Sequence, residues 1–222
     1  MVKKAFQKHK SYWSRKSFRR SVFWGFVFLA ASLVLNSFAD TYTLKHASSY
    51  VTDIILDNVR VYNVNFIYVE GITIFWMFII FLHIREPKTL PFVLKSIALF
   101  ILIRSMFISL THLAIPPQHS FTDPGYFFKK LTSQDDLFFS SHAGAPFLFA
   151  LIYWENKRLR TIFLLASIFF GTAVLLGHLH YSIDVFAAFF ITYGIFDIAR
   201  YLFQKDHAMF QEDPPLAKEE II

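Results

Sequence analysis

His180 and Asp184 stand four residues apart in Gly177-His178-Leu179-His180-Tyr181-Ser182-Ile183-Asp184. On a helix that spacing puts them on one face, a turn apart. A carboxylate so placed accepts the ring N–H of the histidine, orients it and stabilises its charged form. A second polar cluster, Ser140-Ser141-His142, opens another apolar run. Two histidines and a carboxylate, if brought together, suit phosphate ester chemistry: one ring attacks phosphorus and the other protonates the leaving oxygen. The competing readings are an interfacial histidine at His142 and a structural Asp–His hydrogen bond at 180 and 184. His178 and His180 also form a His-x-His pair, half of a metal site, but no third or fourth ligand has matching local spacing. The expectation is therefore no metal and no organic cofactor, with His178 lining the pocket.

The elements that must position these groups are membrane spans. The chain has 222 residues, 55% of them hydrophobic and 19% aromatic, with a mean hydropathy of +0.43. Ser21 to Ala39 carries no charge, and 137–154 and 161–177 carry none besides His142. A helical span takes about 20 mostly apolar residues. The pattern predicts an all-α, polytopic six-helix bundle with spans at 21–39, 65–84, 90–115, 137–154, 161–177 and 181–203. Residues 1–20 form a basic-aromatic segment, read as lying on an anionic cytoplasmic leaflet or as a frayed tail that fixes orientation. Residues 204–222 form a polar, loose tail. The first run is long for a signal-peptide core and is read as a retained anchor. Without cysteine there are no disulfides. The net charge of +6 is explained by basic residues flanking spans, so no nucleic acid is implied. Most of the 22 Lys and Arg fall on the side of the termini, which puts both termini in the cytoplasm.

In that topology spans 4 and 6 both start at the outer face. His142, His180 and Asp184 then converge at one depth, at two helix N-termini whose free N–H groups favour an anion. Positive charge has to come from elsewhere, and mid-span Arg104 is the leading candidate. An intramembrane Arg costs about 2.5–3.5 kcal/mol on insertion scales, so a function or partner is expected. The open alternatives are a phosphate contact or an ion pair with Glu70 or Asp197. Thr111 falls on nearly the same helix face as Arg104. Lys95 is expected to snorkel. Asp136 either caps span 4 or attracts a cationic head group. His112 and His119 read as loop or rim residues, and Lys129 and Lys130 as a solvated loop.

Asp136-Leu137-Phe138-Phe139-Ser140-Ser141-His142 resembles the Asp-x-x-Phe-Ser-Gly-His stretch of sphingomyelin synthases, and His180-Tyr181-Ser182-Ile183-Asp184-Val185 is similar to their His-Tyr-Thr-Ile/Val-Asp-Val. Those enzymes belong to the phosphatidic acid phosphatase type 2 superfamily. The match covers about 137–203, and the Arg104-x6-Thr111 spacing also resembles a synthase motif. The resemblance implies His180 as nucleophile, Asp184 as its partner and His142 as acid and base. It implies a phospholipid donor such as phosphatidylcholine or phosphatidylethanolamine, and a ceramide-like acceptor. Ser140, Ser141, Asp136 and His178 would border the substrate. The departures are Ser141 where the family has Gly and Ala143 where it has Thr. Val174 stands where the phosphatase branch carries Arg, and no Lys-x6-Arg-Pro motif is found; both absences favour the synthase-like branch.

The resulting expectation is a membrane lipid phosphotransferase with its site on the extracytoplasmic side. The alternatives are a lipid phosphatase or phospholipase-C-like hydrolase using water at the same site, and a non-catalytic lipid transporter or scaffold.

Overall fold

The computed structural model describes residues 2–111, 113–120 and 137–211, with side chains from residue 6 onward. All regular structure among them is helical. α1 (Val2–Ser14) and α2 (Lys16–His46) precede a largely irregular segment, 47–64. A π-helical turn (Ile67–Gly71) runs into α3 (Ile72–Arg85), and a 3-10 turn (Pro87–Thr89) into α4 (Leu90–Leu110). Then come α5 (Ser141–Ile152), α6 (Lys157–Leu176), α7 (Ser182–Leu202) and α8 (Gln204–Gln211). Local sequence sets several of these limits. Pro87 pushes Glu86 out of the helical region (φ −129°, ψ 77°), which ends α3. Asn156 caps α6 by accepting the Leu159 N–H at 3.1 Å.

Five stretches of the described residues are long and apolar enough to cross a membrane: Lys16–His46, Ile67–Arg85, Pro87–Leu110, Lys157–Leu176 and Ser182–Leu202. The chain is a multi-pass membrane protein. The expected fourth span, 137–154, contains a helix of only 12 residues. That is about 18 Å long, against a hydrocarbon thickness of about 30 Å. α5 is buried along almost its whole length, so its apolar run faces protein where the composition pointed to lipid. Small residues allow this. A Cβ on Gly144 would come within 2.9 Å of Thr192 Oγ1 on α7 and 3.0 Å of the Phe100 ring on α4. One on Gly171 of α6 would meet Val185 at 3.1 Å and Ala143 at 3.4 Å. The residues that follow His142 and Asp184 thus pack on the same glycine.

The third span also ends early. It was expected over 90–115, but α4 stops at Leu110 and Thr111 is extended (φ −122°, ψ 138°). One end of the bundle gathers α1, the 86–89 turn, the 153–156 loop and α8. There Lys8 pairs with Glu86. Lys95 does not snorkel. Its ammonium donates to Asp206 Oδ2 at 2.5 Å and to Ser21 Oγ at 2.7 Å, and the Ser21 hydroxyl donates to Asp206 Oδ1 at 2.5 Å. This buried cluster ties α2, α4 and α8 together, so the start of the expected loose tail is a docked helix. The basic N-terminal segment is likewise helical and anchored, with Tyr12 and Phe18 buried against Leu94. The opposite end gathers 47–64, Thr111, 113–120, 137–140 and 177–181. Its ties include Tyr62 N–H to the Leu176 carbonyl at 2.9 Å and Ser120 N–H to the Gly177 carbonyl at 2.7 Å. Both histidine clusters lie here.

Candidate active site

The α6–α7 corner carries the first half of the site. α6 ends at Gly177, His178 takes a left-handed conformation (φ 53°), and Tyr181 is the N-cap of α7. One buried oxygen, Asp184 Oδ2, accepts both the His180 Nδ1–H at 3.3 Å and the Tyr181 backbone N–H at 3.1 Å. The other, Oδ1, is buried without a hydrogen-bond partner. With Nδ1–H on the carboxylate, Nε2 is the nitrogen of the neutral His180 ring that keeps a lone pair. That tautomer is the one a nucleophile needs.

The start of α5 supplies the second half. Ser140 is its N-cap, yet the side chain makes no capping bond. Its hydroxyl is buried and has no hydrogen-bond partner. The first intrahelical bond runs from Gly144 N–H to the Ser140 carbonyl at 2.9 Å. The amides of Ser141, His142 and Ala143 therefore have no helical acceptor, and with the Ser140 hydroxyl they form a set of donors suited to an anion. The His142 ring stacks on Tyr68 at a centroid distance of 4.1 Å, and its Nε2–H donates to the Tyr68 carbonyl at 3.3 Å. That bond leaves Nδ1 as the lone-pair nitrogen of the neutral ring. Pro146 has no N–H, so the His142 carbonyl lacks its helical donor.

The two halves are joined directly. The Ser140 N–H donates to the Asp184 carbonyl at 3.0 Å. The chain before Ser140 is strained and held from α4. Phe138 and Phe139 have φ of 120° and 26°, in the region that disfavours L side chains. Arg104 Nε donates to the Phe139 carbonyl at 3.3 Å, and the Thr111 hydroxyl lies 3.4 Å from the Leu137 carbonyl. Such backbone persists at membrane depth only where protein satisfies it. Arg104 is thus held against the turn that leads into His142. It does not pair with either expected carboxylate: Glu70 is exposed, and Asp197 faces Arg200 at 3.7 Å.

Two helix N-termini were expected to be open to an anion, and at α7 this is corrected. Its first amides are already taken by carboxylates, Tyr181 N–H by Asp184 and Ser182 N–H by Asp53 Oδ2 at 2.7 Å. Asp53, in the 47–64 segment, was not singled out in the sequence. Burial raises its carboxyl pKa, but the bonds from Ser182, Leu56 and Ile55 outweigh this and hold it below 3.8. Tyr68 was also missed, since a stacking partner 74 residues away leaves no local signal.

His178 sits beside the 113–120 loop, its Nδ1–H donating to the Gln118 carbonyl at 3.1 Å and its Nε2 buried without a partner. Ser141 lies in the first turn of α5, next to the Ser140 cap. His119 bonds the Pro116 carbonyl at 3.0 Å. Asp136, His112, Lys129 and Lys130 lie outside the described residues. Among the described residues, no three His, Cys, Asp or Glu side chains are grouped to hold a metal.

No curated protein and no solved structure matches the chain. Residues 135–201, just under a third of the sequence, match one family model, the PAP2 superfamily C-terminal domain, and that stretch spans both histidine clusters. The match supports the phosphatidic acid phosphatase type 2 superfamily and an activity of the lipid phosphatase or phosphotransferase type.

Proposed function

We propose that the protein is a membrane lipid phosphotransferase of the sphingomyelin synthase kind, moving a phospho-head group from a phospholipid to a lipid alcohol. The observation that carries this reading is the Ser140–Asp184 bond, which joins the two halves of a His/His/Asp site at one end of the bundle. His180 Nε2 attacks phosphorus and displaces the diacylglycerol oxygen, which His142 protonates. Asp184 stabilises the imidazolium character that develops on His180. The amides at the start of α5, the Ser140 hydroxyl and the nearby Arg104 charge balance the phosphoryl oxygens. An incoming hydroxyl then gives its proton to His142 and takes the phospho-head group from His180. A ceramide-like alcohol yields a new phospholipid, and water yields the free phospho-head group. No cofactor enters these steps. The basic end, which gathers α1 and α8, is assigned to the cytoplasm, so the site is read as facing the extracytoplasmic side.

The second reading, a hydrolase, differs only in whether water wins at the phosphohistidine. A test separates them: purified protein with phosphatidylcholine or phosphatidylethanolamine, with and without ceramide or diacylglycerol. Diacylglycerol plus a new phospholipid that requires the acceptor supports the transferase. Free phosphate or a free phospho-head group, whatever the acceptor, supports the hydrolase. No turnover across the panel sinks both readings and favours a non-catalytic transporter or scaffold.

A further inference from the structure

The two amides that follow His180 are held by carboxylates from different parts of the chain. Asp184 Oδ2 takes the Tyr181 N–H, and Asp53 Oδ2 takes the Ser182 N–H. Asp53 comes from 129 residues upstream and outside the matched domain. It is fixed before it reaches α7. Its Oδ1 accepts the Ile55 and Leu56 N–H groups at 2.9 and 3.1 Å, and its own N–H donates to Asp57 Oδ2 at 3.0 Å. It is only 8% exposed. Leu56, Leu137 and Tyr181 form a buried apolar cluster beside it, so the segment is packed against the corner as well as bonded to it.

The geometry gives this contact a consequence for His180. Asp184 Oδ2 is shared between the His180 ring and the Tyr181 amide, and both bonds are already long at 3.3 and 3.1 Å. A small roll of the first turn of α7 would break one of them. Asp53 holds the next amide and blocks that roll.

We propose that Asp53 is a positioning residue for His180: it fixes the α7 corner so that the ring meets Asp184. The claim of a role in turnover rests on the function proposed above; the effect on the His180 ring does not.

The test uses the full chain in lipid nanodiscs, comparing the parent with Asp53→Asn and Asp53→Glu. Asn has one carbonyl oxygen for two sets of amides, so it gives up either the Ser182 bond or the Ile55 and Leu56 bonds, and Glu keeps both oxygens but shifts their place. The first readout is the 15N-histidine NMR signal of the His180 Nδ1–H, assigned with His180→Ala, and it needs no activity. The expected result is a hydrogen-bonded Nδ1–H signal in the parent that is lost or broadened in both variants. The second readout is kcat and KM with a labelled phospholipid. KM should stay within about twofold in both variants, while kcat falls about tenfold or more, because the corner is misplaced. An unchanged His180 Nδ1–H signal in both folded variants overturns the positioning of the ring. Unchanged kcat in both variants, with only the melting temperature lowered, overturns the role in turnover. A parent with no turnover on any lipid would defeat the function proposed above and leave the NMR result to decide the effect on the ring.

Discussion

Gly177 offers a sharp test of how the α6–α7 corner is packed. It closes α6 with an ordinary φ of −82°, so its role is steric and not conformational. A Cβ there would sit 2.3 Å from Val64 Cγ2, and 3.3 Å from Leu179 Cγ. Carbon atoms at rest keep about 3.5–4.0 Å, so Gly177→Ala demands a shift of more than about 1 Å. Val64 cannot easily give way. It is β-branched and stiff at χ1, buried, and held through its N–H to Ser120 Oγ and its carbonyl to Tyr68 N–H. Overpacking of this kind costs about 1–3 kcal/mol, and the short contact places Gly177→Ala near the upper value. Val64→Ala removes the offending methyl groups and alone costs about 2 kcal/mol in lost burial. The double variant should be no less stable than Val64→Ala, a coupling of about 2–3 kcal/mol. Thermal unfolding of all four proteins in one detergent measures this, with turnover recorded in parallel because His178 and His180 follow directly. Destabilisations that simply add in the double variant would refute the packing assigned to this corner.

Three further outcomes are expected. Lys95→Met or Asp206→Asn leaves one buried partner unpaired and should cost about 3–5 kcal/mol, whereas Lys95→Met with Asp206→Leu should recover most of it; protease susceptibility of α8 reports the same order. His207 packs on Phe92 at 4.8 Å, and burial first, then the charge of Arg200, lowers its pKa below 6.5. A depressed folded pKa means the unfolded chain binds the extra proton first. The stabilisation is therefore complete above pH 6.5 and is lost as pH falls through the lower folded value, and melting curves of His207→Phe should be flatter over that window. Arg104→Gln should lower kcat about tenfold or more, since it frees the turn that leads into His142; full activity in a folded variant would show that the Phe139 contact does not matter for chemistry.

What the sequence made legible was local. His180 and Asp184 are a turn apart, Ser140 to His142 are contiguous, and the parity of the spans was enough to place both clusters at one end. Charge-free runs marked the membrane helices because lipid leaves little choice. The same signal failed at 137–154, where an apolar run faces protein and only 12 residues are helical. It failed again at Lys95, whose partner Asp206 is 111 residues away. Asp53 was invisible for the same reason: a carboxylate in a polar loop resembles any other until the helix end it serves is folded beside it. Arg104 was found by its cost in a membrane, but its contact with the Phe139 carbonyl depended on a turn with two left-handed phenylalanines, which no propensity rule anticipates.

The central claim is that His180 Nε2 carries the phospho-head group between donor and acceptor. It is tested most directly by mixing the protein with phosphatidylcholine labelled in its head group, quenching in alkali within one turnover, and mapping the label by peptide mass. The account predicts an acid-labile adduct on the peptide containing His180, absent from His180→Ala, and discharged when ceramide is added. Turnover of the same lipid by His180→Ala, or label on another residue of the parent, would contradict it.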